Sequence, residues 1–507
     1  MKPGPFVPSG FGDRDARRQA VARAADRAVA PALIRALEAE DATLPASAAR
    51  TAAIADLARP GTAAVLTGQQ VGLHLGPLYT IYKAATAVVL ARALEAETGV
   101  RTVPVFWMAT EDHDVAEIDH CIVARRGEEP LRLGIEPRGR RHRRQPVANL
   151  TLGDDVTAAN QALADALEHQ PAGPEVSSLV AAHYRPGRTL GQAFGGLLAA
   201  LFLDEGLIVF DPRRAEVAAL SMPAYRTALA HAGEIAARLG ARNEALAAAG
   251  LASQVNVRDD GALVFHHVPD GDGSRDVVRC ADAIRLLDES DPLRFSSSAL
   301  LRPIVQDTLF PTAAYVGGPA EVSYFAQSAV LYDLFGLPVP LVAPRARFRL
   351  VDPHSRRRLA ALGLSAAEIE QSRDALVQRL GRERCRPAVE EVRARLLATP
   401  HAELGSLAES FSSLDPELTR ALSRTRATVD RAVARLLARY ARAVAAKDAE
   451  ALDALDRTRA LLFPDDAPQE RVFAFASFAA SDGPRAFIDG ILAAVQPFNP
   501  IVQDLDR

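Results

Sequence analysis

Five short runs of apolar residues, each bounded by turn-forming residues, stand out along the chain. The first is TAAVL after Gly61, and a glycine-rich turn and a helical pattern that ends near Gly99 lead to the second, residues 103–108. This alternation predicts a βαβ unit with the right-handed crossover of a parallel sheet. The remaining runs are residues 207–210, 313–316 and 339–343. Because these runs are apolar on both faces, they predict a parallel sheet that helices cover on both sides.

The segments between and before these strands have helical or turn-rich patterns. Residues 14–41 carry apolar side chains at helical spacing and predict an N-terminal helix. Two stretches, at about 122–205 and 253–296, interrupt the series of strands and predict insertions. We therefore predict an α/β fold with a Rossmann-like parallel-sheet core over residues 1–353 and inserted connecting segments.

The pattern changes after residue 353. Ser365 and Glu368 have the spacing of a capping box, which predicts a helix start. Asp415 followed by Pro416 predicts the N-cap and first turn of a longer helix. Its seam positions then step by three and four residues: Leu418, Leu422, Thr425, Val429, Ala432 and Leu436. This heptad seam predicts an α-helical coiled-coil arm over residues 354–464, with residues 465–507 returning to the core. It favours a homodimer, although so short a seam can also close within one chain.

Composition argues against several classes of function. Hydrophobic residues make up 49% and charged residues 24%, and no apolar run reaches the ~18–20 residues that cross a bilayer. The first residues carry prolines and charges where a secretory signal has an apolar region, so we expect a cytoplasmic protein.

A net charge of -4 argues against nucleic acid as a partner, and the basic run at 138–144 predicts a solvated loop or an anion contact. Three isolated cysteines argue against a disulfide framework and a zinc ribbon.

The richest candidate stretch is TGQQVGLHLGPLYTIYK, residues 67–83. Its glycines allow a tight turn, and the helix after them offers unpaired amides to an anion such as a phosphate or a carboxylate. The spacing fits neither the dinucleotide fingerprint nor the P-loop. HLGP within it resembles the HIGH signature of class I synthetases and nucleotidyltransferases, with Pro77 in place of the second histidine. We expect a nucleotide or carboxylate cradle with Lys83 as a nearby cation; a turn without a ligand is the alternative.

A second cluster follows the strand at 103–108, where Glu111, Asp112, His113 and Asp114 stand in a row. Open α/β sheets bind ligands at the carboxyl edges of their strands, which is where this row falls. Carboxylates beside an imidazole can hold an ammonium group, move a proton or bind a divalent metal. We expect Asp112 and His113 to be site residues; the alternative is a capped turn that begins the segment leading to His120.

A third candidate stretch covers residues 295–347. Gly318 follows a strand, and a helix that carries Glu321 and Tyr324 begins directly after it, which repeats the geometry of the first turn. Arg302 is a candidate clamp for a carboxylate, because a guanidinium grips that group with two hydrogen bonds. Arg345 lies just past the last strand, where class I enzymes keep a mobile basic loop over a triphosphate; a solvated turn is the alternative.

Together the three stretches resemble the bacillithiol biosynthesis cysteine-adding enzymes, the BshC family, in order and spacing. The resemblance runs through LTGQQVGLHLGPLYTIYK, PVFWMATEDHD, EIDH and FPTAAYVGGPAEVSYFAQ, and more loosely through the tail PQERVFAFASF. It implies a Rossmann core, dimerisation through the coiled coil, and addition of L-cysteine to glucosaminyl malate (GlcN-Mal). The positions that match the family pattern are Gly68, Gln69, Gln70, Gly76, Pro77, Tyr79, Glu111, Asp112, His113, Arg302, Gly318, Glu321 and Tyr324.

The resemblance leads to a mechanistic hypothesis. Joining a carboxyl group to an amine is uphill in water, so we expect activation by ATP or another nucleotide, with ADP as a bound product and a divalent metal left open. We expect Asp112, His113 and Glu111 to act in catalysis, with His113 as the proton acceptor. The expected substrate and nucleotide contacts are Thr67, Gly68, Gln69, Gln70, Gly76, Pro77, Tyr79, Lys83, Arg302, Gly318, Glu321, Tyr324 and Arg345. The alternatives are a metal-dependent hydrolase built on the EDHD row and His120, and a nucleotide-binding scaffold without catalysis.

Overall fold

A computed structural model describes residues 6, 10–112, 114–125, 128–136, 146–257, 263–267, 275–277, 291–499 and 502–506. The chain forms two compact units, Met1–Phe348 with Glu470–Gln503, and Arg349–Gln469 with Asp504–Arg507. His113, the basic run at 138–144 and Cys280 lie outside the described residues. None of the helices in the described ranges is long and apolar enough to cross a membrane.

Strands and helices alternate through the first unit, and helices dominate the second. The strands are β1 (Ala63–Gln69), β2 (Thr102–Met108), β3 (His120–Val123), β4 (Leu131–Gly134), β5 (Ile208–Phe210), β6 (Val264–His267), β7 (Arg275–Val277), β8 (Phe295–Ser297), β9 (Thr312–Gly317), β10 (Leu341–Pro344), β11 (Arg347–Val351) and β12 (Val502–Asp506). The α-helices are α1 (Arg14–Ala25), α2 (Pro31–Asp41), α3 (Ala48–Leu57), α4 (Tyr79–Thr98), α5 (Asp155–Leu167), α6 (Gly173–His183), α7 (Leu190–Leu201), α8 (Ala215–Ala230), α9 (Ala232–Ala248), α10 (Arg302–Leu309), α11 (Pro319–Ser328), α12 (Pro353–Leu362), α13 (Arg373–Arg384), α14 (Val389–Ser406), α15 (Ala408–Leu414), α16 (Pro416–Ala445), α17 (Ala449–Leu462), α18 (Ala476–Asp482) and α19 (Pro484–Ala494).

Five strands form one parallel sheet in the order β10-β9-β1-β2-β5. If these five strands are numbered 1 to 5 in chain order and read from β5, the order is 3-2-1-4-5, which is that of a Rossmann-type sheet. The order reverses between β1 and β9, and a sheet of this kind has its ligand crevice at the carboxyl ends of the strands beside such a reversal. Small antiparallel sheets, β3-β4 and β7-β6-β8, lie outside it in the first unit. All five predicted runs are strands of the parallel sheet, so the predicted α/β fold is confirmed.

Both faces of the sheet are covered, as the apolar runs predict. On one face Leu66, Trp107 and Phe210 belong to a core shared with α2, α3 and α8. On the other face Val65 and Val316 pack with α1 and α4. All seven residues of β2 are buried. This burial fixes the carboxyl ends of the central strands, which carry the candidate residues.

The N-terminal region differs from the single helix predicted over residues 14–41. It forms the two helices α1 and α2, and Pro31 begins the second of them. In the turn between them the Arg27 guanidinium donates a hydrogen bond to the carbonyl oxygen of Phe310 at 2.8 Å. Because of this turn, α1 and α2 cover opposite faces of the sheet.

Residues 470–503 return to the first unit and meet the candidate stretches there. The backbone N–H of Ala474 donates to the carbonyl oxygen of Ile122, and the carbonyl oxygen of Phe473 accepts from the N–H of Leu78, both at 2.8 Å. Leu78 immediately precedes α4. The return segment therefore brings Arg471, two residues before Phe473, close to the start of α4.

The second unit is helical, and α13 and α14 pack against the 30-residue helix α16. Asp415 caps α16 by accepting a hydrogen bond from the N–H of Glu417 at 2.8 Å, and a proline is the first helical residue, as predicted. The Glu368 carboxylate accepts both the N–H and the hydroxyl of Ser365 at 2.9 Å. The capping pair opens a single 3-10 turn, Ala367–Glu370, and not the α-helix that its spacing predicts.

The buried side of α16 follows the predicted seam only in part. Leu418, Leu422 and Val429 are half-buried, but Thr425, Ala432 and Leu436 are exposed. Leu436 is 56% exposed whereas its neighbour Leu437 is 3% exposed. The buried positions of this helix are Leu437, Ala441 and Ala445, so its second half packs one position away from the predicted seam. There α13 touches α16 so closely that a Cβ on Gly381 would lie 2.0 Å from the carbonyl oxygen of Ala441.

Candidate active site

A cavity of about 870 Å³ lies where β1, β2 and β9 end, at the reversal of strand order. Its wall brings together residues from all three candidate stretches. The predicted site residues on this wall are Gly68, Gln69, Gln70, Pro77, Tyr79, Lys83, Glu111, Asp112, Arg302, Gly318, Glu321, Tyr324 and Arg345. Side chains that are far apart in the sequence therefore share one chamber.

Two other predicted contact residues support the site without forming its surface. Thr67 is fully buried, and its hydroxyl donates to the carbonyl oxygen of Val316 at 2.8 Å, which joins β1 to β9. Gly76 has a φ of 64°, in the left-handed region that favours glycine, and it turns the chain toward α4. Their expected ligand contacts stay predictions beside these structural roles. His113 lies outside the described residues, so its expected role stays a prediction.

Four backbone amides of the glycine-bearing turn before α4 are used within the protein. Its backbone N–H groups at positions 73, 75, 76 and 78 all donate to acceptors within the protein, at 2.8 to 3.1 Å. Pro77 has no N–H group to offer. These four amides cannot also bind an anion, so the expected amide cradle stays a prediction for the other N–H groups of the turn and for the first turn of α4.

His74, the histidine of HLGP, is fully buried behind the turn. Asn160 donates its amide to the carbonyl oxygen of Tyr184, so its Oδ1, 2.9 Å from His74 Nε2, accepts a hydrogen bond from that nitrogen. The unprotonated Nδ1 then accepts from the Cys121 thiol at 3.6 Å. Burial lowers the pKa of His74 to about 4 and raises that of Cys121 to about 12, so both are neutral near pH 7. His74 thus holds the turn in place.

Lys83 and Glu321 form an ion pair across the reversal of strand order. Lys83 Nζ also donates to Gly68 O and to Gln69 Oε1, both at 2.7 Å. Glu321 further accepts hydrogen bonds from the N–H of Gly318 at 2.8 Å and from a tyrosine hydroxyl at 2.6 Å. The two side chains are only 5% and 17% exposed. Lys83 is therefore a brace between the end of β1 and the start of α11.

Two arginines on the wall have different partners. Arg345 is 4% exposed, and Glu470 neutralises it through two hydrogen bonds of 2.8 Å. Neither the mobile loop nor the solvated turn expected at this position is observed. Arg302 instead bonds to neutral side chains, the hydroxyl of Tyr324 and, at 3.1 Å, the amide oxygen of Gln306. Tyr315 accepts a further hydrogen bond from Arg302 at 3.1 Å, and the Glu321 carboxylate attracts the guanidinium, so Arg302 shares that carboxylate with Lys83.

Another group of wall residues is acidic. Gln70 donates to the Asp112 carboxylate at 2.6 Å and orients it. A serine hydroxyl lies 3.4 Å from a carboxylate oxygen of Glu111. Glu117 lines the same cavity, and its partial burial, together with the charge of Asp114, raises its pKa. The cavity therefore offers carboxylates for a cationic group and arginines for an anionic one.

Sequence reasoning missed several residues of the wall. Arg471 lines the cavity and its neighbour Glu470 holds Arg345; both come from the tail, where a charged pair directly before an aromatic run was the available signal. Glu117 lies in the EIDH stretch, but its carboxylate was not singled out. Ser297 lies in the third candidate stretch but was not singled out, and Asn256 lies in the predicted insertion and carried no local signal.

This arrangement can bind a molecule that carries both an ammonium group and an acid group, and it can orient the two relative to each other. Positively charged guanidinium groups also suit phosphates. Among the described residues, no group of three or more His, Cys, Asp or Glu side chains is placed to hold a metal ion. Because the walls are fixed by buried strands and ion pairs, the charges are in place before a ligand arrives.

The strand order and the cavity define a Rossmann-type protein with a small-molecule site at the reversal of strand order. The chain belongs to the bacillithiol biosynthesis BshC family. Residues 10–346 match the family model "Bacillithiol biosynthesis BshC, N-terminal Rossmann-like domain", and residues 348–503 match its "C-terminal coiled-coil domain".

Relatives from several bacteria are similar over most of their length. A protein of Solibacter usitatus named "Putative cysteine ligase BshC" is 35% identical over 85% of this chain and 82% of its own. Proteins with the same name from Koribacter versatilis and Geobacillus thermodenitrificans are 34% and 29% identical, each over 84% of this chain and over 80% and 81% of their own. The similarity thus covers both units.

Proposed function

We propose that this protein is a carbon–nitrogen ligase that joins the carboxyl group of L-cysteine to the amine of GlcN-Mal, the last step of bacillithiol biosynthesis. Its relatives are named as cysteine ligases, and its family is named for this biosynthesis. The observation that carries the proposal is the shared cavity, in which Gln69, Asp112 and Tyr324 meet although they come from three separate stretches.

Activation of cysteine requires a good leaving group, because a carboxylate does not react with an amine in water. We propose that ATP or another nucleotide supplies it, with ADP as a product that can stay bound. Arg302 and Arg471 are the cations that we assign to phosphate or carboxylate groups, since Glu470 and Glu321 already neutralise Arg345 and Lys83. Fixed charges of this kind stabilise the charge that develops on the phosphate oxygens.

The acidic wall is the proposed site of the cysteine ammonium group. Asp112 keeps its orientation through Gln70, and the hydrogen bond favours the charged carboxylate that an ammonium requires. With the ammonium at Asp112, the cysteine carboxyl group can point toward the arginines. The malate portion of GlcN-Mal supplies a second acid group, which we assign to the other arginine. Both substrates are therefore bound through complementary charge.

We further propose that the chain forms a homodimer through its arm and acts in the cytoplasm. Large apolar side chains remain exposed on the arm, with Leu396, Leu414 and Leu436 at 40%, 75% and 56% exposure. Light scattering on the purified protein should give twice the mass of the chain. Substitution of Leu414 and Leu436 by Gln should then give the mass of one chain, and a monomeric wild type would refute the dimer.

The test is a coupling assay with purified protein, L-cysteine, GlcN-Mal, ATP and Mg²⁺, in which mass spectrometry detects bacillithiol. Product that depends on all three substrates is the expected result. Nucleotide binding without product would favour the scaffold, and hydrolysis that stops on chelation would favour the hydrolase. A parallel reaction with chelator and no Mg²⁺ decides whether coupling needs a divalent metal.

A further inference from the structure

The proposed coupling has one chemical requirement: the attacking amine must lose a proton. His113, the acceptor expected from the sequence, lies outside the described residues. Burial raises the pKa of Tyr79 and of Tyr324 to about 12, so both hydroxyls keep their protons near neutral pH. Glu321 is committed to its ion pair with Lys83, and Asp112 is assigned to the cysteine ammonium group. The acceptors that remain on the described wall are Glu111, Glu117 and His120, and of these the imidazole has a neighbouring carboxylate that orients it.

His120 lines the cavity and forms a carboxylate–imidazole pair with its neighbour Asp119. The distance between His120 Nδ1 and Asp119 Oδ1 is 2.9 Å. A carboxylate can only accept a hydrogen bond, so Nδ1 carries the proton and Nε2 keeps its lone pair. The side chains are 24% and 31% exposed, so a substrate can reach the imidazole. An imidazole oriented by a carboxylate is a common arrangement for a general base.

The backbone around this pair is well fixed. The N–H of Asp119 donates to Val115 O, and Asp119 O accepts from the N–H of Ile135, both at 2.9 Å. His120 is the first residue of β3, and Cys121 after it is buried against His74. The same residues that hold the glycine-bearing turn therefore also hold the imidazole at the cavity.

We propose that His120 is the general base of the coupling step and that Asp119 is its positioning residue; this inference rests on the proposed function. The neutral amine nitrogen of GlcN-Mal attacks the carbonyl carbon of activated cysteine, and a C–N bond forms. The bond between that carbon and the phosphate oxygen breaks, and the phosphate leaves with the electron pair. The proton released from nitrogen moves to His120 Nε2, and Asp119 stabilises the imidazolium that results.

Other charged groups line the cavity with His120: Asp112, Glu111, Glu117, Glu321, Lys83, Arg302, Arg345 and Arg471. A test of the base must therefore separate proton removal from substrate binding, and a nucleophile that needs no base does so. Hydroxylamine is already an unprotonated nucleophile at neutral pH, so its reaction with activated cysteine depends little on a base.

The test compares two reactions of the full-length chain: coupling of cysteine to GlcN-Mal, and formation of cysteine hydroxamate from cysteine, ATP and hydroxylamine. His120→Gln should lower coupling by about 100-fold or more, within the range for general-base catalysis, and leave hydroxamate formation within about twofold. His120→Ala should regain coupling when imidazole is added. Asp119→Asn should lower kcat for coupling but leave its KM and hydroxamate formation unchanged, because the imidazole has lost the carboxylate that orients it.

Control variants make each outcome decisive. His231 is 48% exposed and pairs with Glu234 away from the cavity, so His231→Gln should leave both reactions unchanged. Coupling by His120→Gln within twofold of wild type, or an equal loss of both reactions without rescue by imidazole, would overturn the inference. A loss of coupling in His113→Gln with activity kept in His120→Gln would assign the base to His113 instead. If the wild type forms hydroxamate but never couples GlcN-Mal, the proposed function itself fails, and the inference fails with it.

Discussion

Replacement of Glu321 by Gln tests the brace that holds the two sides of the cavity together. The variant keeps the shape of the side chain but leaves the Lys83 ammonium buried, at 5% exposure, without its counter-charge. Two unit charges about 4 Å apart attract by roughly 4 kcal/mol at an effective dielectric constant of about 20. Removal of one partner of a buried pair costs about 3–5 kcal/mol. We therefore expect Glu321→Gln to lower the free energy of unfolding of the first unit by about 3–5 kcal/mol.

The chain contains one tryptophan, Trp107, which is buried in the first unit, so its fluorescence during urea unfolding reports that unit alone. A matched control is Asp489→Asn, which breaks the exposed ion pair with Arg485 in the same unit and should cost less than about 1 kcal/mol. Lys83→Met combined with Glu321→Gln should be more stable than Glu321→Gln alone. A loss below about 1 kcal/mol in Glu321→Gln would refute the brace.

The stability cost of Glu321→Gln should depend on pH, and the directions of the pKa shifts of Glu321 and Lys83 give the sign of that dependence. Burial alone would raise the pKa of Glu321, but Lys83 lowers it below its ordinary value of 4.5. The stabilisation from Glu321 is therefore complete above that value and is lost as the pH falls through the folded-state pKa. Burial lowers the pKa of Lys83, and Glu321 opposes that shift. In Glu321→Gln no carboxylate opposes this shift, so rising pH removes the proton from Lys83 more readily. A neutral Lys83 costs less to bury, so the loss in the free energy of unfolding should become smaller as the pH rises.

Three further substitutions test the site and the arm. Asp112→Asn should abolish coupling but leave the urea midpoint unchanged, and an active variant would remove Asp112 from the site. Gly68→Ala would place a Cβ 2.8 Å from the carbonyl oxygen of Trp107, so coupling should fall at least tenfold in the same assay; normal coupling would show that the strand ends can shift freely. Gly381→Ala would place a Cβ 2.0 Å from Ala441 O, so calorimetry should show a lower unfolding temperature for the second unit, whereas an unchanged temperature would contradict the close helix contact.

The sheet was predictable because its strands must be apolar on both faces, and such runs are visible in the sequence at residues 103–108 and 313–316. The carboxyl ends of parallel strands meet at one edge, so the polar residues after them could also be assigned to one cavity. The resemblance to a family added the expected chemistry. Most residues of the cavity wall could therefore be predicted from local sequence patterns and the geometry of a parallel sheet.

The remaining features depend on contacts between distant segments. No pattern near Arg345 shows that Glu470, more than a hundred positions later, neutralises it. The amides of Leu73 and Leu78 in the turn before α4 donate to Ile118 and Phe473 in separate segments, which the turn itself does not encode. In α16, Leu437 and Ala441 are buried and Leu436 is exposed, because packing against the neighbouring helices, and not an ideal heptad, decides which side is covered.

The central claim is that this cavity joins cysteine to GlcN-Mal. The most direct measurement is mass spectrometry of small thiols in the organism that encodes the chain, before and after deletion of its gene. The account predicts that bacillithiol disappears and that GlcN-Mal accumulates, and that a plasmid copy restores bacillithiol whereas an Asp112→Asn copy does not. Normal bacillithiol in the deletion strain, with no rise in GlcN-Mal, would contradict the account.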